Sequence, residues 1–176
     1  VKDGIMPGYF GYEAGQSCVG DHFAWFVENC VPESYEQEAR VRGISIHQLL
    51  SEKLSTYKAG ASGLLALDWF NGVRTPLMDF NLNGLIMGMN LLTKPEEIYL
   101  SLIEATAYGT RMIIEGFEEA GLEVKDITLS GGIPIKNEML VQVYSDVCNR
   151  KIKVVDSTQS SALGAAILGA AAAPER

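Results

Sequence analysis

The sequence predicts an α/β fold, and three observations lead to that class. In the last third, "DITLSGG" and "KIKVVD" read as strands, each followed by a helical stretch, over about 136 to 149 and about 160 to 173. In the middle lies a helix with clear start and stop signals: Thr93 and Glu96 spaced as a capping box, Pro95 in the first turn, and Gly121 at the end. With 176 residues, 47% of them hydrophobic and 20% charged, the chain can bury one sizeable core.

Residues 1 to 20 are rich in glycine and aromatics, and "YFGYEAGQ" predicts a strand running into a glycine turn. "DHFAWFVENC" places Phe23, Phe26, Val27 and Cys30 at helical spacing, with Asp21 as the expected N-cap. Residues 33 to 60 are polar and helical in character and read as a peripheral insertion with little chemistry. "SGLLALDWFNG" predicts a buried strand ending in a turn, and "NGLIMGMNL" a second one. The central helix carries Ile98, Leu102, Ala105, Gly109, Met112, Gly116 and Ala120 along one face. So many small residues predict that another backbone comes close. The tail "ALGAAILGAAAA" is short of the ~20 apolar residues that span a bilayer and reads as a tightly packed helix.

A net charge of −8 argues against a nucleic-acid partner held through a basic face. The runs Arg40/Arg42 and Arg150/Lys151/Lys153 are short and read as solvated surface. Cys18, Cys30 and Cys148 are scattered without a CxxC pair or Cys/His cluster, which fits reduced thiols of a cytoplasmic protein. The chain begins without Met and stops directly after a helix, so an excised piece of a longer protein, truncated at both ends, is expected.

Chemistry concentrates in "TLSGGIPIKNEML", a strand end, two glycines and a helix start. A residue without Cβ lets a flat ligand lie on the backbone, and Gly131–Gly132 falls where open α/β sheets bind ligands. Lys136 and Asn137 follow within a turn as polar contacts. The alternative is that the glycines only let a helix pack on a strand. A Rossmann site would need a third glycine and an acidic residue about twenty positions on; Asp156 is near that distance and ends a strand, but Lys136 or Asn137 stands where a small residue is expected. Asp68, Asp146 and Asp156 are candidate general bases, against plain roles: Asp68 bonding the Asn71–Gly72 turn, Asp146 facing solvent or pairing with Arg150. His22 and His47 lack partner patterns and read as surface or capping residues. Glu13 could bind a sugar hydroxyl or act as a structural carboxylate near Asp21.

"LSGGIPIKNEMLVQVYSDV", with "SSALGAAILGAA" after it, resembles the C-terminal signature of the FGGY carbohydrate kinases. "EAGQSCVGDHFAWF" and "LDWFNGVRTP" extend the likeness over nearly the whole chain, in wording closest to the family's ribulose-phosphorylating branch. The resemblance implies the actin/hexokinase-like ATPase fold (ribonuclease H-like), a mixed sheet flanked by helices, with residues 1–176 as the C-terminal nucleotide-binding domain. It implies ATP with Mg²⁺, and transfer of the γ-phosphoryl group to a primary hydroxyl of L-ribulose. Gly131 and Gly132 then form the adenosine turn, Gly132 and Lys136 match nucleotide-contacting positions, and Asn137 lies beside them. Gly20 matches a second such position, and Ala24, often polar in the family, offers only a van der Waals wall. Glu13 matches a sugar contact. The catalytic aspartate, the phosphate hairpin and most Mg²⁺ ligands belong to an N-terminal kinase domain, so no catalytic base is assigned here. Neither membrane nor nucleic acid is an implied partner, and homo-oligomerisation stays open. Kinases of xylulose, glycerol or another polyol, and a non-catalytic actin-like module, are the alternatives.

Overall fold

The computed structural model describes residues 1–173. Its elements run α1 (Gly20–Asn29), α2 (Glu33–Arg42), α3 (Ile46–Lys53), β1 (Leu65–Leu67), β2 (Leu85–Met87), α4 (Pro95–Glu119), β3 (Ile127–Leu129), α5 (Gly132–Lys136), α6 (Glu138–Cys148), β4 (Ile152–Val154) and α7 (Ser160–Ala172). The α/β class holds, in a helix-rich form. The strands are three residues long and make two separate pairs instead of one mixed sheet: β1–β2 antiparallel with Ala66 opposite Ile86, and β3–β4 parallel with Thr128 opposite Lys153.

The 25-residue α4 is the axis of the core. Tyr99, Leu100, Leu102, Ile103 and Ala107 bury against Phe23 and Phe26 of α1, Leu50 of α3, Leu54 just beyond it, and Leu140, Val143, Tyr144 and Val147 of α6. Residues 33–60, expected at the periphery, divide. The polar α2 buries Ala39, whereas α3 sends Leu49 and Leu50 to complete burial. The small face of α4 is used at Gly109, where an added Cβ would lie 2.5 Å from Asp68 Oδ2 and from Gln16 Nε2. At Gly116 nothing approaches within 4 Å.

Several local expectations are corrected. Residues 1–19 form no strand; a single bridge joins Lys2 and Phe10, and Tyr9, Phe10 and Tyr12 stay exposed, leaving an extended run nothing to pack on. The cap of α4 falls one residue later than predicted. Thr93 Oγ1 accepts from Asn90 N at 2.9 Å, so Lys94 takes the cap and donates its N–H to Glu97 Oε2 at 2.8 Å. Asp21 sits inside the first turn of α1, with Val19 at the cap. The helix expected over 136–149 breaks at Asn137 (φ −140°, ψ 85°) into α5 and α6, because the Asn137 side chain caps the second segment, accepting from Leu140 N at 3.0 Å. Arg150 is a structural cation that donates to Val124 O at 3.1 Å and Cys148 O at 2.9 Å and pairs with Glu118. Asp146 therefore stays exposed and takes Gln142 Nε2 at 2.8 Å instead. The tail helix α7 forms, but no residue of it is buried, and Leu163, Ile167 and Leu168 are exposed.

Candidate functional site

The turn after β3 presents the two glycines differently. Gly131 holds φ +100° and ψ −178°, a combination reserved for glycine, and it swings the chain from the strand into α5. Gly132 opens that helix with ordinary backbone. A Cβ on either residue would meet nothing within 4 Å. Neither glycine is therefore there to let a helix lie against a strand, and Gly132 leaves its face open.

That face belongs to an open cleft of about 790 Å³. One wall is α1, with Gly20 and Ala24 a turn apart beside Phe23. Across from it run Gly132, Ile133, Lys136 and Asn137, and α3 closes a side with Ser45, His47, Gln48 and Ser51, while Tyr99 of α4 adds an aromatic surface. Five residues singled out from sequence thus converge from two distant segments: Gly20, Ala24, Gly132, Lys136 and Asn137. Gly131 shapes the turn without lining the cleft. Gly20 also keeps the walls close, since a Cβ there would lie 2.9 Å from Ile133 Cδ1. Lys136 is exposed and makes no ion pair or side-chain hydrogen bond among the described residues, so its ammonium is free to meet an anion. Asn137 uses its Oδ1 as the α6 cap.

Sequence reasoning missed the α3 side. His47 Nδ1 lies 3.0 Å from the Tyr99 hydroxyl, and the rings meet at 5.9 Å between centroids. Burial lowers the pKa of His47 and raises that of Tyr99, so both are held in their neutral forms. Ser45 caps α3 by accepting from Gln48 N at 3.1 Å, which fixes the polar turn facing the cleft. The available signal was apolar spacing: Leu49, Leu50 and Leu54 mark a core face that a surface insertion would lack.

Glu13 lies elsewhere. It is exposed and pairs with Arg74 Nη2 at 3.3 Å, neither in the cleft nor capping the Asp21 region. Arg74 borders a second, small pocket of about 80 Å³ with Gln16, Ser17, Asp68 and Gly109. Here Asp68 accepts from Gln16 Nε2 at 2.7 Å and makes no bond to the Asn71–Gly72 turn. Gln16 also donates to Thr106 O at 2.8 Å and accepts from Thr110 Oγ1 at 2.9 Å, which holds the carboxylate against α4. Ser17 Oγ is buried with no partner among the described residues.

His22, expected at the surface, is 1% exposed and joins the two regions. Its Nε2 donates to Asp68 O at 2.9 Å and lies 3.3 Å from Cys18 Sγ, so the first turn of α1 is tied to the end of β1. Burial, followed by the charges of Asp21 and Asp68, pushes the Cys18 thiol up to about 11, which keeps it protonated and unreactive. Asp156 borders a groove formed by α5, α6 and β4 and is not among the residues that line the cleft. Among the described residues no cluster of three His, Cys, Asp or Glu could hold a metal, and no helix is long and apolar enough to cross a membrane.

The fold is shared with solved sugar kinases. A xylulose kinase from Rhodospirillum rubrum superposes with TM-score 0.69 over 85% of this chain and 28% of its own, at 24% identity. A glycerol kinase from Plasmodium falciparum, solved with ADP, gives 0.66 over 87% of this chain and 28% of its own, at 23% identity. The model of the FGGY family of carbohydrate kinases, C-terminal domain, matches residues 1–173, and the chain belongs to that family. Ribulokinases are similar in sequence: that of Bacillus licheniformis is 57% identical over 98% of the chain, and that of Mycolicibacterium smegmatis 49% over 99%. The chain spans 31% of the length of these relatives.

Proposed function

We propose that this chain is the nucleotide-binding part of an ATP-dependent sugar kinase that phosphorylates L-ribulose to ribulose 5-phosphate. The carrying observation is the cleft, which gathers Gly20, Ala24, Gly132, Lys136 and Asn137 where an adenosine moiety would lie. Gly132 offers bare backbone to the flat base or ribose, Phe23 and Ile133 supply apolar walls, and the free ammonium of Lys136 offers charge to the anionic end. The ADP in the solved glycerol kinase and the ribulokinase names of the similar sequences support the same reading. On this reading the fold is of actin/hexokinase-like ATPase type, and the rest of the site comes from the length of the relatives that this chain does not cover. Mg²⁺ neutralises the ATP phosphates when bound, and this chain's residues position the adenosine end and exclude water from it. Glu13, oriented by Arg74, stands on the sugar side beside the pocket of Gln16 and Ser17.

Steady-state kinetics on a full-length kinase carrying this sequence test the proposal. ATP-dependent phosphorylation should be faster with L-ribulose than with xylulose or glycerol. A preference for another sugar would overturn the substrate, and sugar-independent behaviour with no phosphoryl transfer would overturn the kinase reading.

A further inference from the structure

We propose that His47 reads the base of the nucleotide: its Nε2–H donates to a ring nitrogen of the purine, and Tyr99 sets the tautomer that makes this donor available. The inference rests on the nucleotide reading of the cleft.

Tyr99 is 2% exposed, and His47 Nδ1 at 3.0 Å is the single hydrogen-bond partner of its hydroxyl among the described residues. A buried hydroxyl proton without an acceptor carries its full desolvation penalty, so Tyr99 donates and Nδ1 accepts. A neutral imidazole that accepts at Nδ1 bears its proton on Nε2. Burial of both groups favours these neutral forms. Nε2 has no partner among the described residues, and His47 is one of the residues that line the cleft. Of its polar neighbours on α3, Gln48 already spends its amide N–H on Glu52 Oε1 at 3.0 Å. His47 therefore brings an uncommitted, directionally fixed ring N–H into the cleft.

The position of His47 selects the base over the phosphates. It packs on Tyr99, which in turn lies 5.4 Å from the Phe23 ring, so His47 is backed by buried aromatic rings and no charged group. Lys136, whose ammonium is unpaired among the described residues, comes from a different element, α5. A neutral donor among rings matches a purine nitrogen, an acceptor in the plane of the base.

Titration of a full-length kinase carrying this sequence with ADP by calorimetry, on wild type and two variants, tests the assignment. His47→Asn keeps an acceptor near Nδ1 for Tyr99 but has nothing at the Nε2 position, whereas His47→Gln returns an amide N–H there. Asn should weaken ADP binding about fivefold, as one lost hydrogen bond does, with a melting temperature like that of wild type, and Gln should recover most of the affinity while melting lower, because it leaves the Tyr99 hydroxyl without its acceptor. For wild type, one of 1-, 3- and 7-deaza-ADP should lose a similar factor, and His47→Asn should be indifferent to that analogue. Should His47→Asn not fold, Tyr99→Phe substitutes for it: the ring stays packed, the tautomer is released, and ADP affinity should fall. Unchanged affinity in the folded variant, or no loss with any deaza analogue, overturns the role of His47 and leaves the cleft a nucleotide site. Failure of wild type to bind ADP overturns the nucleotide reading itself, and the role of His47 with it.

Discussion

Gly131 and Gly132 are adjacent in sequence and differ in what they would tolerate. Gly131 needs a positive φ, so Gly131→Ala should destabilise the fold by about 1–3 kcal/mol, measured by denaturant unfolding. Gly132 has ordinary backbone with open space beside it. Gly132→Val should therefore fold normally while its methyl groups occupy the cleft, raising KM for ATP at least about tenfold and leaving that for sugar nearly unchanged. A folded variant with normal ATP dependence would remove the nucleotide reading of this turn. Lys136→Ala should act more mildly, about fivefold, since its ammonium is solvated. Glu13→Ala should have the opposite selectivity and weaken sugar binding alone. That Gly132, Lys136 and Asn137 line one cleft was legible because a double glycine before a helix marks a turn with open backbone, whereas Glu13 lies outside that cleft. His47 was not, because its significance lies in a bond to Tyr99, 52 positions away.

At the level of elements, short caps shape the turns that line the cleft, and the buried carboxylate of Glu104 ties a loop to α4. Ser45→Ala removes the α3 cap and should cost about 1 kcal/mol, lowering Tm by about 2–4 °C for a chain of this size. Because that turn carries His47 and Gln48 to the cleft, nucleotide affinity should fall with it. Glu104 on α4 is buried and accepts from Gly60 N at 2.6 Å, and burial lifts its pKa above the ordinary carboxylate value. Through that window the folded state binds more protons than the unfolded chain, so this group's contribution to stability falls as pH rises. Glu104→Gln keeps an acceptor for Gly60 without the charge. It should raise Tm at neutral pH and flatten the dependence on pH above 4.5, as thermal melts across the range would show. Apolar spacing made α1 and α4 legible, but the boundaries of α4 and α6 were not legible. Side chains decided them: Thr93 turned back to Asn90, and Asn137 capped the following segment.

At the scale of the molecule, the α/β class followed from alternating patterns, while the division into two strand pairs did not, because pairing depends on what lies beside each edge. The tail helix shows the same limit. Alanine and glycine promised close packing, yet α7 presents Leu163, Ile167 and Leu168 to the outside of the described chain. The chain also spans only 31% of its ribulokinase relatives. A kinase needs both an adenosine site and a base that takes the proton of the accepting hydroxyl. The cleft can supply the first, but Asp68 is held by Gln16 against α4 and Asp146 is on the outer face of α6. The purified 176-residue chain should accordingly bind ADP and transfer no phosphoryl group to L-ribulose, whereas a full-length kinase carrying it should do both. Coupled-enzyme detection of ADP release, with and without the sugar, distinguishes the two preparations. Sugar-dependent turnover by the 176-residue chain alone would place a general base within it, and Asp68, a carboxylate bordering a pocket beside the Glu13–Arg74 pair, would be the first residue to replace.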